Sequence, residues 1–431
     1  MAMQTESPAK PGAPENGHYL WALSVLALLF FMWGFCTVLN DTLVPHLKAV
    51  FQMNYFQAAL IQFVFFGAYF VLAIPAAWLI ERAGYKYAIV VGLAIMGVGC
   101  LIFLPASDPP SYALFLTALF VLAGGITILQ VAANPYVAVL GPERLASSRL
   151  NLTQALNSFG TFIGPYLGSV FILSRSKVGT AAAGTVVSLQ DRLADARAVQ
   201  TPYLTIALVL FVLALAFMIL RLPQIATQPR TAEEAQDTIF RHRLLVLGIG
   251  AIFVYVGAEV AIGSFLVSYI TQPQISQMTV AEAGKYVSFY WGGAMVGRLI
   301  GAFAMQYIRP SRILAVNAVG AIALIILSIA THGAVAMWAI LAVGLCNSIM
   351  FPTIFTLGIR GLGPLTGRGS GALVMAIVGG AIIPPLMGEL ADIAGLALSF
   401  ALPAVCYIYI WFFAMQSGAG ECALEPQTAH A

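Results

Sequence analysis

The sequence predicts an all-α integral membrane protein, with twelve transmembrane helices arranged as two pseudo-symmetric six-helix bundles. Three observations predict it. The first is composition: 60 % of the 431 residues are hydrophobic and only 9 % are charged, with a mean hydropathy of +0.91. Soluble domains carry about 25 % charged residues, so lipid is the main solvent here. A soluble enzyme, a nucleic-acid binder and a disordered scaffold are all disfavoured. The second is a set of twelve apolar runs, each near the roughly 17–25 residues that cross a hydrocarbon core of about 30 Å. The third is an internal repeat relating the first six runs to the last six.

In order, the runs lie at 19–45, 56–80, 87–105, 111–140, 149–173, 202–221, 244–271, 284–307, 313–331, 334–359, 369–391 and 397–415. They are too long and too continuously apolar for barrel strands, and helices satisfy their own backbone groups, which lipid cannot do. Residues 1–17 read as a disordered cytoplasmic tail. They are not a signal peptide, because the next run is too long and no small-residue cleavage site follows it. Residues 18–221 form the first bundle, 222–243 a polar cytoplasmic linker, 244–415 the second bundle and 416–431 a cytoplasmic tail. Thirteen Lys and Arg fall in loops on one side, among them Arg82, Lys86, Arg144, Arg149, Arg309 and Arg360. Six fall on the other: Lys48, Arg175, Lys177, Arg192, Arg197 and Lys285. That bias puts both termini in the cytoplasm, and the expected location is a bacterial-type inner (plasma) membrane.

The repeat has three parts at nearly one offset. Gly67-Ala68 through Pro75 to Lys86 resembles Gly293-Ala294 through Gly301 to Arg312 at 226. Pro135 to Gly141 matches Pro352 to Gly358 at 217, and Gly160, Pro165 and Gly168 match Gly380, Pro385 and Gly388 at 220. The net charge of +3 is too small to imply an acidic partner. The five cysteines show no metal spacing. No HExxH, GxSxG or P-loop string is present, so nothing points to an enzyme.

Lipid penalises an ionisable side chain at mid-helix by about 2.5–3.5 kcal/mol, so each one in the runs needs a partner, a cavity or a function. The few present are Asp41, Glu259 and Arg298, with Glu389 and Asp392 towards one end. Asp41 is either a helix-end carboxylate reaching outer water or a proton carrier whose titration follows alternating access. Glu259 shares a face with Tyr255, four residues earlier. It admits three readings: an ion pair with Arg298, an acceptor for two sugar hydroxyls, or a second coupling site. Asn151, Gln154 and Asn157 recur every third residue and so share one stripe. Gln130 and Asn134 lie on the fourth run, Asn347 and Ser348 on the tenth, and the 217 offset maps Gln130 onto Asn347. Carboxamides both donate and accept, which suits a neutral polyhydroxylated ligand. The competing reading is amides that glue helices together at about 0.6–2 kcal/mol each; three on one stripe favour cavity lining. Tyr286, Tyr290, Trp291, Phe351 and Phe355 either pack on the C–H face of a sugar or are ordinary membrane residues.

These strings resemble the fucose–glucose–galactose cation symporters of the major facilitator superfamily. The resemblance rests on Leu39-Asn40-Asp41, on Gln130 through Val137 with Leu140-Gly141-Pro142-Glu143, on Arg149 through Gln154 with Asn157-Ser158-Phe159-Gly160, on Tyr255 through Ala258 and on Pro352 through Phe355. It implies two six-helix halves rocking about a midplane site, and uptake of a neutral monosaccharide with a cation, usually a proton. It also implies that Asp41 is the coupling carboxylate and that Gln154 and Asn157 contact sugar. In one departure, the fucose-transporting branch carries a glutamate where this chain has Gln130, which cannot titrate. Either Asp41 couples alone, or Glu259 shares the task, or the cation is not a proton. With Glu259 present, the chain looks closer to the glucose/galactose-type branch. The expectation is cation-coupled import of a hexose, with contacts from Gln130, Asn134, Gln154, Asn157, Tyr255, Glu259, Tyr290 and Asn347. Arg298 is a structural ion-pair candidate. The expected partners are the monosaccharide, a proton or sodium ion and the bilayer; no nucleic acid, metal or bound cofactor is expected, and the chain is expected to be a monomer. Transport of N-acetylglucosamine or fucose, or efflux by the same fold, is the alternative.

Overall fold

A computed structural model describes residues 16–51, 55–171, 197, 199–220, 222–223 and 238–421. The first six runs appear as α1 (Asn16–Phe51), α2 (Tyr55–Ala106), α3 (Tyr112–Val139), α4 (Ala146–Phe171) and α5 (Gln200–Ile219). The last six appear as α6 (Arg243–Ile270), α7 (Val280–Ala304), α8 (Pro310–Ala330), α9 (Gly333–Asn347), α10 (Met350–Gly358), α11 (Thr366–Met375), α12 (Gly379–Ala394), α13 (Leu396–Ser399) and α14 (Ala401–Glu421). Among the described residues there is no β-strand, and nine stretches are long and apolar enough to cross a membrane. One of them, 47 residues over Leu60–Ala106, holds two spans. The chain turns between them at Gly84, whose φ of 80° suits a residue without a Cβ. α4 and α7 supply the remaining two spans. Both fall short on hydropathy because they carry polar residues of the candidate site.

Two spans are interrupted midway. α9 gives way to α10 around Ser348 and Ile349, and α11 reaches α12 through a 3-10 turn at Ala376–Val378. The first break follows from Pro352, which has no N–H and crowds the carbonyl four residues back, that of Ser348. Pro135 does the same to Val131 inside α3. Neither freed carbonyl is left bare. Ser370 Oγ donates to the Val131 oxygen at 2.8 Å, and Arg298 Nε donates to the Ser348 oxygen at 2.9 Å. The two prolines are repeat equivalents, so each half frees one carbonyl at the same place and satisfies it with a side chain from another helix, though only the second half breaks its helix there.

Loop cations cap helix ends. Buried Arg149 donates to the carbonyls of Val137, Ala138 and Pro142 at 3.3, 2.6 and 2.7 Å, closing the last turn of α3. Lys86 Nζ reaches the Met218 carbonyl at the end of α5 at 2.9 Å. α14 continues to Glu421, six residues past the boundary expected at 415, because Ser417 is buried and bonds back to the Ala414 carbonyl at 2.9 Å. The expected tails at 1–15 and 422–431, and linker residues 224–237, lie outside the described residues.

In the first half α2 packs on α3 and α5, and α1 on α4; in the second α14 packs on α8 and α6, and α12 on α6. The halves meet along α4 with α7 and along α2 with α11. These are spans five with eight and two with eleven, which the repeat interchanges.

Candidate functional site

The polar residues of the spans gather into two groups, one in each half. α3 and α4 build the first. Gln130 Nε2 donates to the Tyr69 hydroxyl on α2 at 3.0 Å, and Gln154 Nε2 donates to Asn134 Oδ1 at 3.4 Å. Asn157 Nδ2 donates to the Phe30 carbonyl on α1 at 3.0 Å. All four amides are buried, yet the carboxamide oxygens of Gln130, Gln154 and Asn157 accept from no described residue, and Asn134 Nδ2 has no protein partner among them. Donor and acceptor capacity therefore remains in a region where an unused polar group costs about 1–3 kcal/mol.

α6, α7, α9 and α14 build the second group around Asn347. Its Nδ2 donates to the Tyr290 hydroxyl at 2.8 Å, and its Oδ1 accepts from the Tyr407 hydroxyl at 2.6 Å. Tyr255 donates its hydroxyl to Glu259 Oε1 at 2.7 Å, with the Asn347 carbonyl a second acceptor at 3.2 Å. Tyr290 also approaches the Glu259 carbonyl at 3.3 Å. Asn347, Tyr290, Tyr255 and Tyr407 are all but inaccessible, whereas Glu259 is half-buried and its Oε2 accepts from no described residue. Glu259 is thus the member of this group with a free acceptor, held in place by a tyrosine one turn before it.

Arg298 links the groups. Besides the Ser348 carbonyl, it donates to the Gln154 carbonyl at 3.4 Å and, in a short bond, to Ser158 Oγ. The ion pair with Glu259 allowed by the sequence is not formed, since no Arg298 nitrogen is within 4 Å of that carboxylate. The guanidinium instead ties α7 to the stripe on α4 that carries Gln154.

Other expected residues go elsewhere. Asp41 lies on α1, and its side chain is outside the described residues. Asn151 Nδ2 bonds the Ser147 carbonyl at 2.8 Å and faces Met305 and Thr353 across the halves, so it belongs to the seam. Tyr286 packs with Phe289 and Trp338, and Phe351 stacks on Phe355 within the core. Sequence reasoning missed Tyr69, Tyr407 and Ser158 as partners of these groups. For the tyrosines the available signal was only that a buried phenol seeks a partner.

The 217 offset acquires a meaning here. The amide of the fourth span donates to a tyrosine of the second, and the amide of the tenth donates to a tyrosine of the eighth. A "Glucose/galactose transporter" of Brucella abortus biovar 1 (strain 9-941) is 51 % identical over 415 residues, covering 96 % of this chain and 98 % of that protein. An "L-fucose-proton symporter" of Escherichia coli (strain K12) is 35 % identical over 428 residues, covering 96 % and 97 %. The crystal structure of the transporter FucP in the outward conformation superposes with a TM-score of 0.85 at 34 % identity, covering 93 % of this chain and 99 % of that one. The sequence pattern of the Major Facilitator Superfamily matches residues 24–384. Twelve spans, two repeat-related polar groups and these likenesses together place the chain in the Major Facilitator Superfamily, to which it belongs.

Proposed function

We propose that this chain is a transporter, not an enzyme, that imports a neutral hexose of the glucose/galactose type together with a proton by alternating access. The observation that carries this reading is the polar group that each half holds inside an apolar bundle, with capacity left over: unused carboxamide oxygens on α3 and α4, and an unused Glu259 oxygen on α6. A sugar hydroxyl both donates and accepts, so it matches a mixed set better than a cation or an apolar molecule does. Relatives with glucose, galactose or fucose in their names support the same class.

In this reading Gln130, Gln154 and Asn157 orient the sugar from the first half, with Asn134 behind Gln154. Glu259 accepts from it in the second half. Tyr255, Tyr290 and Asn347 hold Glu259 in position, and Arg298 joins the sugar-binding helix to the opposite half. Asp41 couples the cation. The chain resides in a bacterial inner membrane as a monomer with both termini cytoplasmic and needs no bound cofactor.

Labelled glucose and galactose should exchange in proteoliposome counterflow, and a proton gradient without sodium should drive accumulation. Asp41→Asn should abolish accumulation while sparing counterflow. Full accumulation in that variant would remove Asp41 as the coupling site, and sodium-dependent accumulation would replace the proton.

A further inference from the structure

We propose that Tyr69 is a sugar-contacting residue, its hydroxyl and the Gln130 carboxamide together holding one hydroxyl of the hexose. This role rests on the transport reading and adds a residue of α2 to it. The two repeat-related amide–tyrosine pairs differ in what they leave unused. In the second half both members are engaged further: Asn347 Oδ1 accepts from Tyr407 at 2.6 Å, and the Tyr290 hydroxyl, which accepts from Asn347 Nδ2, donates its own proton to the Glu259 carbonyl at 3.3 Å. In the first half Gln130 Nε2 donates to the Tyr69 hydroxyl at 3.0 Å, and the pair goes no further. Tyr69 donates to no described residue and Gln130 Oε1 accepts from none, although both side chains are buried. A sugar hydroxyl donates and accepts at once, so it can take the Tyr69 proton and give its own to Gln130. Turning the carboxamide over changes which atoms serve, yet an amide N–H is then left to donate and the phenol oxygen to accept.

The pair is placed to share a ligand with the other amides. Asn134 follows Gln130 by four residues and so shares its face of α3, about 6 Å along the axis at 1.5 Å per residue. Asn134 is the residue to which Gln154 donates, at 3.4 Å. Tyr69–Gln130 and Asn134–Gln154 are thus neighbours one helical turn apart, a separation that one pyranose ring bridges. Tyr69 also belongs to the face of α2 turned towards the second half. It lies three residues after Phe66, whose ring would stand 2.7 Å from a Cβ on Gly380 at the start of α12. It lies four residues before Ala73, whose carbonyl oxygen would stand 2.9 Å from a Cβ on Gly371 of α11. A ligand held between the halves therefore meets α2 at this position.

The test measures the midpoint of the sugar-induced rise in Tm for the purified full chain in neutral detergent, with glucose and each of its monodeoxy analogues. Tyr69→Phe should weaken the glucose midpoint roughly three- to tenfold, the range of one neutral hydrogen bond. It should leave the midpoint unchanged for a single analogue, the one lacking the hydroxyl that Tyr69 serves. Gln130→Met should spare the same analogue, which keeps the contact testable if either variant folds poorly. Tyr290→Phe, in the pair that is already engaged, should by contrast weaken every sugar alike. An even loss across the panel in Tyr69→Phe, no loss at all, or different analogues spared by the Tyr69 and Gln130 variants overturns the contact. Any of these with intact glucose counterflow in the wild type sinks the contact alone. A wild-type chain that neither binds nor exchanges hexose sinks the transport reading, and the contact with it.

Discussion

Asn347 shows how a residue type admits two roles that only its partners separate. An amide in a transmembrane run can line a cavity or join helices. Here both ends of the side chain are engaged, by Tyr290 and Tyr407, and no surface remains for a ligand. The residue holds Tyr290 and, through its carbonyl, Tyr255 against Glu259. Asn347→Leu would strand two buried phenols, at about 1–3 kcal/mol each where no new partner forms. The expected result is a clear fall in Tm without sugar present, read by thermal unfolding in detergent. A residue that only touched sugar would leave that Tm unmoved.

At the scale of the element, the prolines of α3 and α10 turn a defect into a connection. Pro352 releases the Ser348 carbonyl, Arg298 takes it, and the same guanidinium reaches Gln154 and Ser158 on α4. Pro352→Ala would restore an N–H able to compete for that carbonyl. Transport in the variant should fall severalfold with expression and Tm retained, as measured by counterflow; wild-type rates would show that the carbonyl does not position Arg298. The start of α7 has a different device. Thr279 and Glu282 form a reciprocal cap, with the Thr279 N–H donating to Glu282 Oε2 at 2.9 Å and the Glu282 N–H to Thr279 Oγ1 at 3.3 Å. The backbone bond from Thr279, and then its hydroxyl, hold the Glu282 carboxyl below the usual carboxylate value. A depressed value means that the cap's contribution is complete above the unfolded value near 4.5 and is lost as pH falls through the lowered one. Hydrogen exchange at the Glu282 amide should stay slow at pH 6 and, after correction for intrinsic rates, lose protection only once pH has fallen below the unfolded carboxylate value.

Across the whole molecule, the seam is built where the repeat interchanges its partners, and it is shut at one end. Glu81 pairs with Arg368 through two bonds of 2.7 and 3.2 Å, Ser147 with Thr356, and Ser148 Oγ with the Ala302 carbonyl at 2.5 Å. The Glu81–Arg368 pair is partly exposed, so it contributes no more than about 1 kcal/mol. Close approach of the helices matters more. A Cβ on Gly371 would stand 2.9 Å from both the Ala73 carbonyl oxygen and the Ala77 Cβ on the facing half, too near for either to yield cheaply. Gly371→Val should bias the protein towards the state open at this end. A cysteine placed at Thr356 should then be labelled at least fivefold faster by a membrane-impermeant thiol reagent, on a background free of other reactive cysteines. Equal labelling would show that the contact does not limit closure.

Lipid as solvent, the twelve spans, the two-fold repeat and a short roster of polar suspects are all legible in the sequence. Each depends on local composition or on spacing along one helix. Which suspects pair with which is not. Charge and nearness along the chain point Arg298 towards Glu259, yet it reaches Ser158, 140 residues away. Arg149 reads as a loop cation that orients the chain, and it proves to be a buried cap. Composition and period decide what a segment can bury. Only the packing of helices distant in sequence decides which carbonyl, hydroxyl or amide lies within about 3 Å of a polar side chain, and so which capacity is left over for a ligand.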